Sequence, residues 1–218
     1  MKTPFPPDEA NGALLNQLRR RLNEDPLPGH SARIAMVPPL RGEYGDPPAD
    51  ARRASVMVLL YPVGGRLRLL FIQRTSPKRD RHAGQISFPG GSVDPEDVSA
   101  AATALRELEE EVGVPRAAVE VLGALTPLYI PVSNFLVDPF VGYLPERPGF
   151  VLQEREVARI LELLLADFLR EGARQVGNRK LLSGLELPDV PYWLVDGEEI
   201  WGATAMMTAE LVALLRFP

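Results

Sequence analysis

"TALRELEEEVGV", residues 103–114, sets Glu107, Glu109, Glu110 and Glu111 within five positions behind a single Arg106. Like charges three or four apart on a helix repel by roughly a few tenths of a kcal/mol per pair, so the pattern calls for a compensating gain. Wound at about 100° per residue, Glu107, Glu110 and Glu111 share one edge, and Glu109 falls on the other side. Leu105, Leu108 and Val112 form the neighbouring stripe, which anchors in a core. Arg106 stands four residues before Glu110, where it can pair with that carboxylate and hold its rotamer. Clustered carboxylates are hard oxygen ligands of the kind Mg²⁺ or Mn²⁺ requires, and a bound cation would cancel the repulsion. A solvated acidic face is the plain alternative.

The helix is expected from about Val98 to Val112, with Gly113 as its C-cap. Before it, "SVMVLLYPV" and "RLRLLFIQR" flank Gly64–Gly65 and read as a hairpin. A polar loop, "TSPKRDRHAGQ", leads to a short strand "ISF" and a turn "PGG". After it, "AVEVLGALTPLYI" and "FLVDPFVGYL" read as strands. "EREVARILELLLADFLREG" fits either one helix or a strand followed by a short helix. "QVGNRKLLS" and "VPYWLVD" read as a closing strand pair, and "ATAMMTAELVALLRF" as a C-terminal helix. Strands and helices mixed in this order indicate an α/β sheet packed between helices.

Residues 1–50 read as an N-terminal helix, with Leu14, Leu15, Leu18 and Leu22 on one face, and an irregular strap rich in Pro and Gly. Residues 51–218 read as one domain. With 218 residues, 45% of them hydrophobic, the chain can bury a substantial core. A net charge of -5 argues against a nucleic-acid binder. The absence of cysteine excludes disulfides, thiolate metal sites and a cysteine nucleophile. No signal peptide or membrane span is legible, so a cytoplasmic protein without a membrane partner is expected. Oligomeric state is not readable, although the helix and strap could dress a homodimer interface.

"FPGG" ends a strand fifteen residues before Arg106, and the combined pattern resembles the Nudix hydrolase signature G-x5-E-x7-R-E-U-x-E-E-x-G-U, where U is a bulky aliphatic residue. Gly91, Arg106, Glu107, Leu108, Glu110, Glu111, Gly113 and Val114 match. Asp97 stands where Glu is expected, with Glu96 as a shifted alternative, and eight residues rather than seven separate Asp97 from Arg106. The resemblance spans roughly residues 55–215. It implies a Nudix α/β/α sandwich with a mixed β-sheet and hydrolysis of a pyrophosphate bond in a nucleoside diphosphate derivative. It also implies a divalent metal, Mg²⁺ or Mn²⁺, held by Glu107, Glu110, Glu111 and the backbone carbonyl of Gly90. Either Glu110 or Glu156, which precedes an aliphatic stretch, would act as general base.

A second segment, "LLFIQRTSPKRDRHAGQISFPGG", resembles the one that marks coenzyme A pyrophosphatases. Arg74, His82, Gly84, Gln85, Phe88, Pro89, Gly90 and Gly91 match, while Arg79–Asp80 replace a usual Leu-Arg. "EIWGATAMMTAELVALL" resembles the C-terminal helix of the same branch. The resemblance implies a coenzyme A-like substrate, split into 3′,5′-ADP and 4′-phosphopantetheine and contacted by Arg74, Arg81, His82 and Gln85. Charge agrees with it: Arg74, Lys78, Arg79, Arg81 and His82 lie within nine residues of an acidic protein, and coenzyme A carries a 3′-phosphate. A solvated basic loop would look alike by charge alone. Another dinucleotide-like diphosphate, such as NADH or ADP-ribose, is the nearest rival substrate. A non-catalytic nucleotide-sensing module is the rival from another class, although its usual mark, a broken glutamate box, is missing.

Overall fold

The structure, a computed structural model, describes residues 7–23, 26–38, 46–75, 84–180 and 186–216. It begins with helix α1 (Pro7–Asn23) and the short α2 (Gly29–Arg33). Strands β1 (Arg52–Val63) and β2 (Arg66–Arg74) form the expected hairpin. Both turn glycines between them, Gly64 and Gly65, hold positive φ, as a tight hairpin turn demands. β3 (Ile86–Ser87) and β4 (Gly90–Ser92) lead into α3 (Ala100–Val112). β5 (Glu120–Ala124), β6 (Leu128–Ile130) and β7 (Phe135–Tyr143) follow, then β8 (Val157–Leu164) and the single turn α4 (Leu165–Phe168). The chain closes with β9 (Arg174–Lys180), β10 (Glu186–Val195), β11 (Glu198–Trp201) and α5 (Gly202–Arg216).

An apolar run as dense as that of β1 suits a strand covered on both faces. β1 accordingly runs through the middle of an eight-stranded mixed sheet, antiparallel to β2 and β4 and parallel to β7. One face carries Met57, Leu59, Tyr61, Leu70 and Ile72 against Ala104, Leu108 and Val112 of α3. The opposite face carries Val58, Leu60, Leu69 and Phe71, covered by α1, α5 and the small sheet β9–β10–β11. Each fully buried Leu or Phe of these two layers contributes about 1.5–3 kcal/mol. This is the α/β/α sandwich with a mixed sheet that the sequence led us to expect.

Local departures have local causes. The ambiguous segment after Glu154 is β8 followed by α4, because β8 pairs along its whole length with β2. Gly90 and Gly91, expected in the turn "PGG", belong instead to the short strand β4 paired to β1. α3 starts at Ala100 rather than Val98: the Ser99 side chain accepts the Ala102 N–H at 3.1 Å and caps the helix, leaving Val98 exposed. β11 was not foreseen.

The N-terminal segment is tied in by a buried ion pair. Arg33 and Glu210 of α5 pair with almost no exposure. Glu210 also accepts the Gly29 N–H at 3.2 Å, the Thr126 N–H at 3.1 Å and the Thr126 hydroxyl at 2.7 Å. Arg33 in turn donates to the Pro127 carbonyl at 2.9 Å. These bonds fasten α2 and α5 to the connection that enters β6.

Candidate active site

β4 places Gly90 and Gly91 beneath the C-terminal half of α3, where Glu107 and Glu111 stand, and the close approach leaves no room for side chains. A Cβ on Gly90 would stand 2.3 Å from the Ser55 carbonyl, at a φ of +155° that side chains rarely adopt. The Gly90 N–H donates to Glu111 Oε2 at 2.9 Å. Glu111 is 1% exposed, and Arg74 Nη1 stands 3.8 Å from its Oε1. Burial pushes the Glu111 carboxyl up to about 8, against the pull of the Gly90 N–H and Arg74. The negative charges of Glu107 and Glu156 raise it further. Glu107 is raised as well, by burial first and then by Glu110 and Glu156, with Arg106 acting against them.

Arg106 is the hub of the helix. Its Nε and Nη2 form a fork on Asp97, at 3.0 and 2.9 Å, and Nη2 also reaches the Ser92 carbonyl at 3.0 Å. Nη1 donates to Glu107 Oε1 and Glu110 Oε2, both at 3.0 Å. All five guanidinium N–H groups are thereby used. The contact with Glu110 is the one its spacing suggested; those with Glu107, Asp97 and Ser92 come from the fold. Asp97 also accepts from the buried Thr103 hydroxyl at 2.8 Å and the Asp94 N–H at 2.9 Å. Arg106 and these donors hold the Asp97 carboxyl well below the usual carboxylate range. Its place in the site is therefore beside Arg106, and the extra residue between the two is absorbed in the loop before the helix. Glu96 is exposed.

Glu156 lies in the exposed turn before β8, near enough to bear on the charge of both Glu107 and Glu111. Its carboxylate makes no hydrogen bond of its own among the described residues. Glu110, by contrast, is turned outward toward Arg106, with its side chain 55% exposed. Among the described residues no three His, Asp or Glu side chains are drawn together closely enough to hold an ion. The donor chemistry nevertheless suits a divalent cation. Glu107 and Glu111 are partly or fully buried hard ligands whose proton affinity is raised by burial and by neighbouring carboxylates, a conflict that such a cation relieves.

Beside this cluster a cavity of about 330 Å³ opens on the other side of the β1–β4 pair. Arg74, Gln85, Gly90 and Gly91 line its near edge, and Ile130, Val132, Phe135, Trp201 and Met207 its apolar wall. The structure thus brings Arg74 and Gln85 to one cavity; Arg81 and His82 lie outside the described residues. Of the residues sequence reasoning missed, Trp201 stood inside a quoted motif, whereas Ile130, Val132 and Phe135 belong to no motif. Only the β6–β7 turn brings them to the cavity.

A family model described as the NUDIX domain matches residues 51–167. The uncharacterized Nudix hydrolase NudL of Yersinia enterocolitica is 41% identical to this chain over 189 residues, 83% of this chain and 88% of that protein. The protein of the same description from Escherichia coli K12 is 42% identical over 182 residues, 79% of this chain and 87% of its own. A crystal structure of a MutT/nudix family protein from Enterococcus faecalis aligns with 80% of this chain and 62% of its own, at a TM-score of 0.47 and 20% identity.

Proposed function

The chain belongs to the Nudix hydrolase family, whose members split the pyrophosphate bond of nucleoside diphosphate derivatives, and from that premise we propose that its substrate is coenzyme A or a derivative of it. The products are 3′,5′-ADP and 4′-phosphopantetheine. One observation carries this reading: Arg74 and Gln85, both from the segment that resembles coenzyme A pyrophosphatases, line the same cavity as Gly90–Gly91. A guanidinium at the mouth of an apolar cavity suits a ligand with a phosphate at one end and a long, largely uncharged arm at the other. We take the catalytic unit to be residues 51–218, since Trp201 and Met207 of the cavity wall lie beyond the matched domain.

In the proposed mechanism Glu107, Glu110, Glu111 and the Gly90 carbonyl would hold Mg²⁺ or Mn²⁺, which would supply neutralisation of phosphoryl charge and acidification of water. Glu156 accepts the proton of the attacking water, since its carboxylate is not engaged elsewhere among the described residues, whereas Glu110 is engaged by Arg106. The water oxygen bonds to one phosphorus as the bridging P–O bond breaks, and the bridging oxygen leaves on the other phosphate. Arg106 keeps Glu107 and Glu110 in place throughout.

A panel of coenzyme A, dephospho-coenzyme A, NADH and ADP-ribose, with each metal and with products identified by mass, tests the reading. Coenzyme A should be turned over best. Loss of one charge-assisted hydrogen bond costs roughly 1.5–3 kcal/mol. Dephospho-coenzyme A, lacking the 3′-phosphate, should therefore show kcat/KM lower by about one to two orders of magnitude. Arg74→Ala should erase that gap. Equal rates on the two substrates would refute a 3′-phosphate contact, and faster turnover of NADH or ADP-ribose would replace coenzyme A as substrate.

A further inference from the structure

Gln73, at the end of β2, is held in one orientation from both sides. Its Nε2 donates to the Gly84 carbonyl at 3.0 Å, and its Oε1 accepts from Arg159 Nε of β8 at 2.7 Å. Turning the amide over would set donor against donor and acceptor against acceptor, so it has one stable pose. Arg159 is fixed in turn by a two-pronged contact with Glu198 of β11, Nη1 to Oε1 and Nη2 to Oε2, both at 2.8 Å. The chain Glu198–Arg159–Gln73–Gly84 runs from the small sheet, across two strands of the large sheet, to the residue before Gln85.

Gly84 is held at its other end too. Its N–H donates to the Arg74 carbonyl at 3.2 Å, and the Arg74 N–H donates to the Gln85 carbonyl at 3.1 Å. Its φ of +72° is a left-handed conformation open to glycine. Arg74 and Gln85 are the two polar side chains at the edge of the cavity for which a substrate contact is proposed. Their backbones are thus fastened to each other, and Gln73 holds the Gly84 carbonyl beside them.

We infer that Gln73, Arg159 and Glu198 are positioning residues for substrate recognition, through which the small sheet sets how Arg74 and Gln85 present themselves to the substrate. None of the three lines the cavity. The inference rests on the proposed roles of Arg74 and Gln85, and it extends them to a part of the chain beyond the matched family domain, which ends at residue 167.

The Arg159–Glu198 pair is partly solvated, with side chains 47% and 24% exposed, so its removal should leave stability nearly unchanged. The test is steady-state kinetics of full-length Arg159→Ala, Glu198→Ala and the double variant on coenzyme A and dephospho-coenzyme A, with thermal melting in parallel. Each single variant should raise KM for coenzyme A about fivefold or more, the effect of one misplaced hydrogen bond, with kcat within about twofold of wild type. The double variant should be no worse than either single one, because both break the same chain. Arg159→Lys, which cannot reach Gln73 and both Glu198 oxygens together, should recover only part of the loss. Wild-type KM in Arg159→Ala would overturn the inference. So would a fall in kcat that accompanies a fall in melting temperature, since that is a structural loss. Failure of wild type to hydrolyse coenzyme A is a different result: it refutes the substrate assignment, and the same KM comparison is then made on whichever diphosphate in the panel is turned over.

Discussion

The carboxylate of Glu107 rests directly on Gly91: a methyl group there would stand 2.5 Å from the carboxyl carbon and from Oε1. The obstructed atoms are the far end of a side chain, so Gly91→Ala should displace Glu107 and leave the backbone intact. The expected outcome is a wild-type melting curve with kcat lower by about a hundredfold, the scale of a misplaced active-site group. Gly90→Ala should behave differently, because its methyl group meets the Ser55 carbonyl at 2.3 Å and the backbone has to move. Full activity in Gly91→Ala would show that Glu107 need not stand where it does.

Arg106→Lys should fail almost as badly as Arg106→Ala. A lysine offers three donors without a planar fork, and five bonds to Asp97, Ser92, Glu107 and Glu110 hang on the guanidinium. The loss should appear in kcat, with KM nearly unchanged, because the residue orders carboxylates rather than contacting substrate. A rise confined to KM would make Arg106 a substrate ligand instead.

Glu111 predicts a pH dependence of stability without metal. Its folded proton affinity is raised, to about 8, above that of an ordinary unfolded glutamate near pH 4.3. The native state therefore holds the proton more tightly, and stability should decline as pH rises between about 5 and 8. Urea unfolding of metal-free wild type should show this decline, and Glu111→Gln should flatten it. Mg²⁺ at about a hundred times its dissociation constant should add roughly 2.7 kcal/mol to wild type, and far less to the variant. Equal stabilisation of both proteins by Mg²⁺ would remove Glu111 from the metal site.

Glu210→Ala should cost about 3–5 kcal/mol, since it leaves Arg33 buried without a counter-charge and the Gly29 and Thr126 N–H groups without an acceptor. Arg33→Met combined with Glu210→Met should regain part of that loss by removing both charges. Denaturant titration decides between this outcome and simple additivity of the two single changes.

The parts of the molecule legible in the sequence are those whose cause is local. The glutamate box of α3, its Gly113 cap and the β1–β2 hairpin each follow from patterns local in the sequence, the longest being the hairpin from Arg52 to Arg74. β8 was ambiguous because its apolar run fits both periods, and pairing with β2, some ninety residues earlier, decides it. β11 was hidden because its four residues run straight into α5 and show no alternation of their own. Asp97 was hard to place for a different reason: an inserted residue breaks the expected spacing, while the capped loop before α3 restores the contact with Arg106. A single Glu210 in an apolar helix gives no sign that it is the best-satisfied carboxylate of the N-terminal attachment.

The parallel pairing of β1 with β7 also governs how the chain comes together during synthesis. Arg52 faces Phe135 and Leu60 faces Tyr143, partners about eighty residues apart. Chain growth at roughly 5–20 residues per second leaves β1 waiting roughly 4–16 s for that partner. Its other edge is taken by β2 and then by β4, both complete by residue 92, but the edge destined for β7 offers an apolar strand to any neighbouring chain in the interval. Nascent chains halted before residue 135 should accordingly be prone to aggregate, and release from that hazard should come only as β7 emerges and closes the middle of the sheet.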